Sequence, residues 1–220
     1  MPDWKDLRFD AVNTPDSTWW SEGGEKVYVE GDRLFMRADA PMPTPGPVTG
    51  GGVCTAWCKQ PLPANLTIEL EAHVISSSID ANNINLFFCY ADPSGKSLYD
   101  TRNDRADAAY DRYHVLNGHI ITFLSGNEAG SPRAEDGGFK ARVRIRRCPG
   151  FQLLAETFAG RCRQGETYAI RVTKRGGEIV FSVNGAEYLR TTDPNPLPGG
   201  LLGLRTFRTR LWWGNVRVQS

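Results

Sequence analysis

No stretch of this 220-residue chain is apolar for long enough to cross a bilayer as a helix, and its first residues, MPDWKDLRFD, lack the apolar run of a secretory signal. As it stands the sequence points to a cytoplasmic protein with no membrane partner, although a chain trimmed of its signal would read the same way. Charge of one sign is missing too: 26 Lys and Arg stand against 25 Asp and Glu, a net +1. That excludes a general nucleic-acid binder, since neutralising phosphates needs a basic excess. Paired cysteines are absent. Cys54, Cys58, Cys89, Cys148 and Cys162 are odd in number and scattered, which fits buried free thiols in a reducing compartment better than a disulfide framework or a zinc clip. There is no glycine-rich phosphate loop, no G-x-S-x-G elbow and no zinc-protease helix motif. Nucleotide hydrolysis and serine esterase chemistry are therefore set aside.

What is present is turn chemistry and alternation. The 23 glycines and 14 prolines favour many short strands over helices. Residues 1–25 read as a loop-like segment pinned by Trp4, Phe9, Trp19 and Trp20. Lys26 to Glu30 and Arg33 to Arg37 flank a Gly31-Asp32 turn and predict a hairpin. Pro41 to Gly52, with four prolines and four glycines, is a connector or a lid. In Leu66 to Val74 the apolar residues share one parity and Thr67, Glu69, Glu71 and His73 the other, so this strand has one polar face. Ile84 to Tyr90 is a buried run. The polar stretch Asp92 to Ala109 is a long excursion of the kind that often serves function. Ile120 to Leu124 is a strand, followed by a second glycine-rich loop, Ser125 to Gly138. Further hairpins follow at Lys140 to Arg146 with Phe151 to Glu156, and at Tyr168 to Lys174 with Glu178 to Val183. Glu187 to Thr191, Leu201 to Thr206 and Leu211 to Val218 complete the chain. About a dozen strands with no amphipathic helix and no internal repeat predict one domain over residues 1–220, an all-β sandwich of two antiparallel sheets.

The tail LLGLRTFRTRLWWGNVRV is similar to the last two strands of concanavalin A-like jelly rolls. KRGGEIVFSVNGAEYLRTTDP resembles the hairpin that precedes them. YHVLNGHIITFL, RRCPGFQLLAE and YAIRVTK resemble the YesU-like family, uncharacterised bacterial jelly-roll proteins tied by analogy to the use of pectin-type oligosaccharides. The resemblance spans roughly residues 20 to 218 and departs at Arg146-Arg147-Cys148, where a lysine and a small residue are expected. It implies a concanavalin A-like jelly roll with a glycan in its concave face. It carries no catalytic assignment.

The residues themselves offer two cleavage chemistries and a binding one. Elimination from a uronic acid or an oxidised sugar needs a base, an acid and a cation for the carboxylate. His114 or His119 would be the base and Tyr110 or Tyr113 the acid, with Asn117 beside them. Arg142, Arg144 or Arg146 would be the clamp. On one strand, His114 and His119 would face opposite ways, so one of the two at most touches a ligand. Hydrolysis needs two carboxylates, and Glu69 and Glu71 share a strand face, with Glu156 a weaker candidate. Solvated surface is the plainer reading of that pair. His73 lies beside them. Trp212 and Trp213 are adjacent, so one packs inward and the other could stack on a sugar ring. No cofactor is required. The oxygen-rich loops at Asp80, Asn82 and Asn83, and at Asp100, Asn103, Asp104 and Asp107, offer ligands for structural calcium. The expected ligand is an oligosaccharide held by a monomer or a homodimer. The favoured reading is an enzyme that cleaves oligosaccharides by elimination or hydrolysis, resting on Tyr113, His114 and Asn117 with the arginine strand as clamp. The alternative is a non-catalytic carbohydrate-binding module, which would need the tryptophans but not the histidines, or an accessory protein.

Overall fold

The computed structural model describes residues 3–40, 52–78, 80–125 and 141–220. Among these, fifteen strands run in chain order as β1 Lys5–Asp6, β2 Trp19–Gly23, β3 Lys26–Glu30, β4 Arg33–Arg37, β5 Val53–Cys58, β6 Leu66–Ser77, β7 Ile84–Ala91, β8 Asn117–Leu124, β9 Arg142–Cys148, β10 Gln152–Thr157, β11 Thr167–Arg175, β12 Glu178–Val183, β13 Ala186–Thr192, β14 Leu201–Phe207 and β15 Thr209–Gln219. Two short 3-10 turns, Arg102–Arg105 and Tyr110–Tyr113, lie between β7 and β8. No helix of the described residues is long and apolar enough to cross a membrane. The loop expected at 41–52, except for its last residue, and that expected at 125–138, except for its first, lie outside the described residues.

The strands form two antiparallel sheets, as the alternation and turn chemistry predict. The first has eight strands in the order β13-β12-β11-β6-β15-β4-β3, with β1 added to β15. The second has seven, in the order β10-β9-β8-β7-β14-β5-β2. The period-2 pattern of β6 is realised as read: Leu66, Ile68, Leu70, Ala72 and Val74 enter the core, and Glu69, Glu71 and His73 take the other face. Facing them from the seven-stranded sheet are Ile84, Leu86, Phe88, Ile121, Phe123, Val143, Ile145, Leu202 and Leu204. Trp19 and Trp213 are wholly buried in this core.

The N-terminal segment differs from the loop-like reading. β2 pairs with β5 along its whole length, and β1 pairs with β15. In β2, Trp19 packs inward while Trp20 and Glu22 are buried on the outer face. A strand buried on both faces loses the apolar–polar alternation that announces one. The same holds for β7, whose outer face is covered by residues of the 92–116 excursion.

A buried polar knot joins β8, β9 and the loop after β13. Asp193 is 1% exposed and accepts from Arg147 Nε at 3.0 Å, with His119 Nε2 at 2.9 Å. His119 also stacks on Phe88 at 5.1 Å. Burial lowers the His119 pKa, partly opposed by Asp193. The imidazole is therefore easier to protonate in the unfolded chain than in the folded one. Its contribution to stability is complete above the unfolded value, about 6.5, and is lost as pH falls below it. We predict that the denaturation free energy drops between pH 7.5 and pH 5.5, and that His119→Gln shallows that slope. Equal slopes in the two proteins would contradict this role.

Candidate functional site

On the outer face of the seven-stranded sheet, the cross-strand register lines up one residue per strand. Glu22 pairs with Thr55, Thr55 with Arg205, Arg205 with Asn85, Asn85 with Thr122, Thr122 with Arg144 and Arg144 with Glu156. Directly opposed residues in antiparallel strands share a face, so this is a continuous polar row across the sheet. The parallel row beside it is apolar: Trp20, Trp57, Gly203, Phe87 and Ile120. Gly203 has no side chain for a reason of space. A Cβ there would lie 2.7 Å from the Trp57 ring, and its absence lets Trp57 and Phe87 meet with centroids 5.7 Å apart.

The excursion between β7 and β8 folds over the apolar row and stops at the polar one. Leu98, Tyr113 and Leu116 pack on Trp20, Trp57, Phe87 and Ile120. One buried carboxylate fastens the two layers. Glu22 accepts from Trp20 Nε1 at 3.3 Å, Trp57 Nε1 at 3.0 Å, Tyr113 OH at 2.8 Å and Arg105 Nε at 3.2 Å. Burial raises the Glu22 pKa, and the Arg105 charge with these donors opposes the rise. Backbone contacts reinforce the fastening: Gly23 N donates to Ala106 O at 3.0 Å, and Arg205 Nη1 donates to Ala108 O at 2.9 Å. Gly23 adopts φ +67°, and a Cβ there would collide with Ala108 at 2.6 Å.

Tyr110 therefore comes to rest beside the polar row. Its ring lies 4.8 Å from the Arg205 guanidinium and 6.2 Å from Phe87. Burial raises the phenol pKa, opposed by Arg205, by a hydrogen bond with Thr122, and by Arg144 and Arg146. His114 follows the second 3-10 turn and precedes β8, so the two histidines do not share a strand. It stacks on Phe151 at 3.8 Å with the Tyr110 ring edge-on at 4.7 Å, and its Nε2 is buried without a partner. Burial lowers its pKa; Asp111 opposes, while Arg205 and Arg146 add to the lowering. Arg146 lies 4.1 Å above Phe151, and Arg142 pairs with Glu156.

Asn85 stands at the centre of the row. It is 3% exposed, and its Oδ1 has no hydrogen-bond partner. An unpaired buried amide costs roughly 1–3 kcal/mol. Native structures keep few such groups, and each needs a reason.

Of the residues singled out from sequence, Tyr110, His114, Arg142, Arg144 and Arg146 gather at this face. Tyr113 is held inside it, fully buried, with its hydroxyl given to Glu22 and its pKa raised well above 10 by burial. His119 points the opposite way, onto Asp193. Asn117 opens β8 with the parity of His119. Glu69, Glu71, His73 and Trp212 are on the far side of the sandwich. There Glu69 pairs with Arg171 and Arg217, Glu71 accepts from Asn215 at 2.9 Å, and Trp212 is sandwiched between His73 at 5.3 Å and Arg33 at 4.0 Å. Several of these residues line or border an open hollow in which Glu69 is paired with Arg171 and Arg217 and Arg190 with Glu178, while Asp6, Arg8 and Asp32 line it without an ion pair among the described residues. Trp213 is core, its indole N–H on Met36 Sδ at 3.1 Å. Among the described residues no three His, Cys, Asp or Glu side chains come together as a metal site. All five cysteines are free and buried, and burial pushes Cys54 up to about 12, so it is not a thiolate nucleophile.

Asn85, Arg205, Thr122 and Glu22 were missing from the sequence reading. Asn85 carries a visible signal, a polar residue inside the apolar run INLFFCY. Arg205 carries the same signal inside LLGLRTF, and Glu22 carries none, because Trp57, Arg105 and Tyr113 are distant in the chain.

This architecture is an all-β jelly roll of two antiparallel sheets. Its fold matches a Bacillus subtilis protein of unknown function with a galectin-like fold, with TM-score 0.72 at 20% identity over 100% of this chain and 98% of that one. It also matches the carbohydrate-binding module CBM66 of Bacillus subtilis, with TM-score 0.62 at 13% identity over 96% and 99% of the two chains. The exoplasmic/lumenal domain of VIP36, in a Ca2+/Man3GlcNAc-bound form, matches with TM-score 0.60 at 10% identity over 92% and 83%. At these identities the likeness is one of fold. A search of curated proteins returns no significant match. The family model described as a domain of unknown function, DUF6250, matches residues 48–216, and the chain belongs to that family.

Removing the Glu22 carboxylate would leave the buried Arg105 without its counter-ion. We predict that Glu22→Ala lowers stability by about 3–5 kcal/mol and opens the 92–116 segment to trypsin. Denaturant titration with limited proteolysis checks this; unchanged protection of that segment would contradict it.

Proposed function

We propose that this chain is a glycan-binding domain whose ligand lies along the polar row of the seven-stranded sheet. The observation that carries the reading is Asn85, an amide buried mid-row with its oxygen unpartnered. Sugar hydroxyls are the complement of such a group, since each can donate and accept at once. Tyr110 adds an aromatic edge beside the row, and Phe151 with the exposed Leu153 adds apolar surface at its β10 end. The fold likeness to a carbohydrate-binding module and to a domain with a bound mannose oligosaccharide supports the same class of ligand.

A second reading, cleavage of the bound glycan, is favoured by Tyr110 and His114 lying in contact next to the row. With the imidazole pKa lowered, His114 is neutral near pH 7 and able to accept a proton, and the Tyr110 phenol keeps a proton to give. That arrangement suits elimination. Two-carboxylate hydrolysis is disfavoured because Glu69 and Glu71 lie across the sandwich and Glu156 is engaged by Arg142. Kinship with the YesU-like family, structural calcium in the oxygen-rich loops and a reducing cytoplasmic setting belong to the same proposal. Five buried free thiols support the last of these.

Replacing a buried amide whose oxygen is unpartnered by a leucine of similar size removes a penalty and a contact together. We predict that Asn85→Leu keeps or raises the thermal midpoint while glycan affinity falls about tenfold or more, the loss of about 1.4 kcal/mol. Binding equal to the wild type on the same glycan array would sink the assignment. Incubation with uronic-acid and neutral oligosaccharides then separates the two readings. Enone absorbance indicates elimination, new reducing ends without it indicate hydrolysis, and neither indicates a binding module.

A further inference from the structure

Charge is unevenly placed along the polar row, with a guanidinium near its centre. Arg205 is 2% exposed, and its Nη1 is spent on Thr55 Oγ1 at 2.8 Å and Ala108 O at 2.9 Å. The guanidinium sits against the Tyr110 and Tyr113 rings at 4.8 and 5.1 Å. Among the described residues no carboxylate forms an ion pair with it; the Glu22 charge at the end of the row is taken by Arg105. Withdrawing a guanidinium from water carries a penalty of several kcal/mol unless an opposite charge offsets it. Ring faces offset part of this, and the remaining positive potential is felt most strongly in a dry site.

Two orphan groups lie at the same place. Arg205 Nε is a buried donor without a partner, and Asn85 Oδ1 is a buried acceptor without one. They belong to residues directly opposed across β14 and β7, yet they do not satisfy each other. A ligand that satisfies both must present an acceptor to the guanidinium and a donor to the amide, side by side. A sugar acid does this with its carboxylate and a neighbouring hydroxyl. A neutral sugar can match the two hydrogen bonds but leaves the charge unmet.

We propose that the ligand of this face is an acidic glycan, with a sugar carboxylate seated at Arg205 and a hydroxyl of the same residue on Asn85. This rests on the glycan-binding reading above and adds the charge of the ligand. Tyr110, whose ring lies 4.8 Å from the Arg205 guanidinium, borders the seat proposed for the carboxylate.

The test is calorimetric titration with a panel of uronate oligosaccharides, each paired with its carboxyl-reduced counterpart. The expected result is that at least one uronate binds about tenfold or more tightly than its reduced form, with affinity falling as salt rises. Asn85→Asp, a near-isosteric change that gives Arg205 an internal counter-ion, is expected to abolish that preference. Arg205→Met, which removes the charge, is expected to abolish the preference as well, and Asn85→Asp keeps the assay informative if that variant fails to fold. Equal or tighter binding of the reduced forms, or an undiminished preference in Asn85→Asp, overturns the acidic-ligand inference and leaves glycan binding standing. No binding of either series, alongside neutral glycans that also fail, overturns glycan binding itself.

Discussion

Glu22 carries a carboxylate into a place with almost no water, and the groups gathered to hold it come from opposite ends of the topology. Two indole N–H groups come from neighbouring strands, and a tyrosine hydroxyl and a guanidinium come from the excursion between β7 and β8. Four donors on one anion explain how a polar, turn-rich segment is fixed over the outer face of a sheet. The segment in turn makes that face into two unlike halves. Where it lies, the sheet is an aromatic second core; where it ends, the polar row begins. Without the carboxylate, Arg105 would be a buried unpaired charge, and the position of Tyr110 would lose its support.

The sandwich thus has two outer faces of different character. On the eight-stranded sheet the charges are exposed, and the central ones pair with one another, as Glu69 with Arg171 and Arg217 illustrates. Such partly exposed pairs stabilise by a fraction of a kcal/mol each and ask for no ligand. On the seven-stranded sheet the polar groups are buried, and several are incomplete: Asn85 Oδ1, Arg205 Nε and His114 Nε2 lack partners. A protein keeps unpaired buried polar groups at a cost to its own stability. The concentration of three of them around Tyr110 distinguishes this face from the other.

Much of the fold was legible in the sequence because it is written in local code. The Gly31-Asp32 turn, the alternation of β6 and the β11–β12 hairpin depend on neighbours in the chain, and all appear as read. The edge strand β2 was not legible, since both its faces are buried and no alternation survives. Within the candidate site, the segment around Tyr110 and His114 and the arginines of β9 were visible as unusual local chemistry. Their separation from Tyr113, His119, Glu69 and Glu71 was not, because it depends on which sheet each strand joins. The partners of Arg205 and Glu22 were invisible for the same reason: Arg205 meets Ala108 and Tyr110 across about a hundred residues of chain. A polar residue inside an apolar strand, as at Asn85, is the one signal that could have directed attention to the row.

The central claim is that the incomplete polar row, and not the charged hollow opposite, receives the ligand. Backbone amide chemical shifts during titration with a binding oligosaccharide test it directly, since the two faces share no outward residues. The account predicts perturbations concentrated at Asn85, Tyr110, Thr122, Arg144 and Arg205. Perturbations concentrated at Glu69, Glu71, Arg171 and Arg217 instead, with the row unmoved, would contradict it.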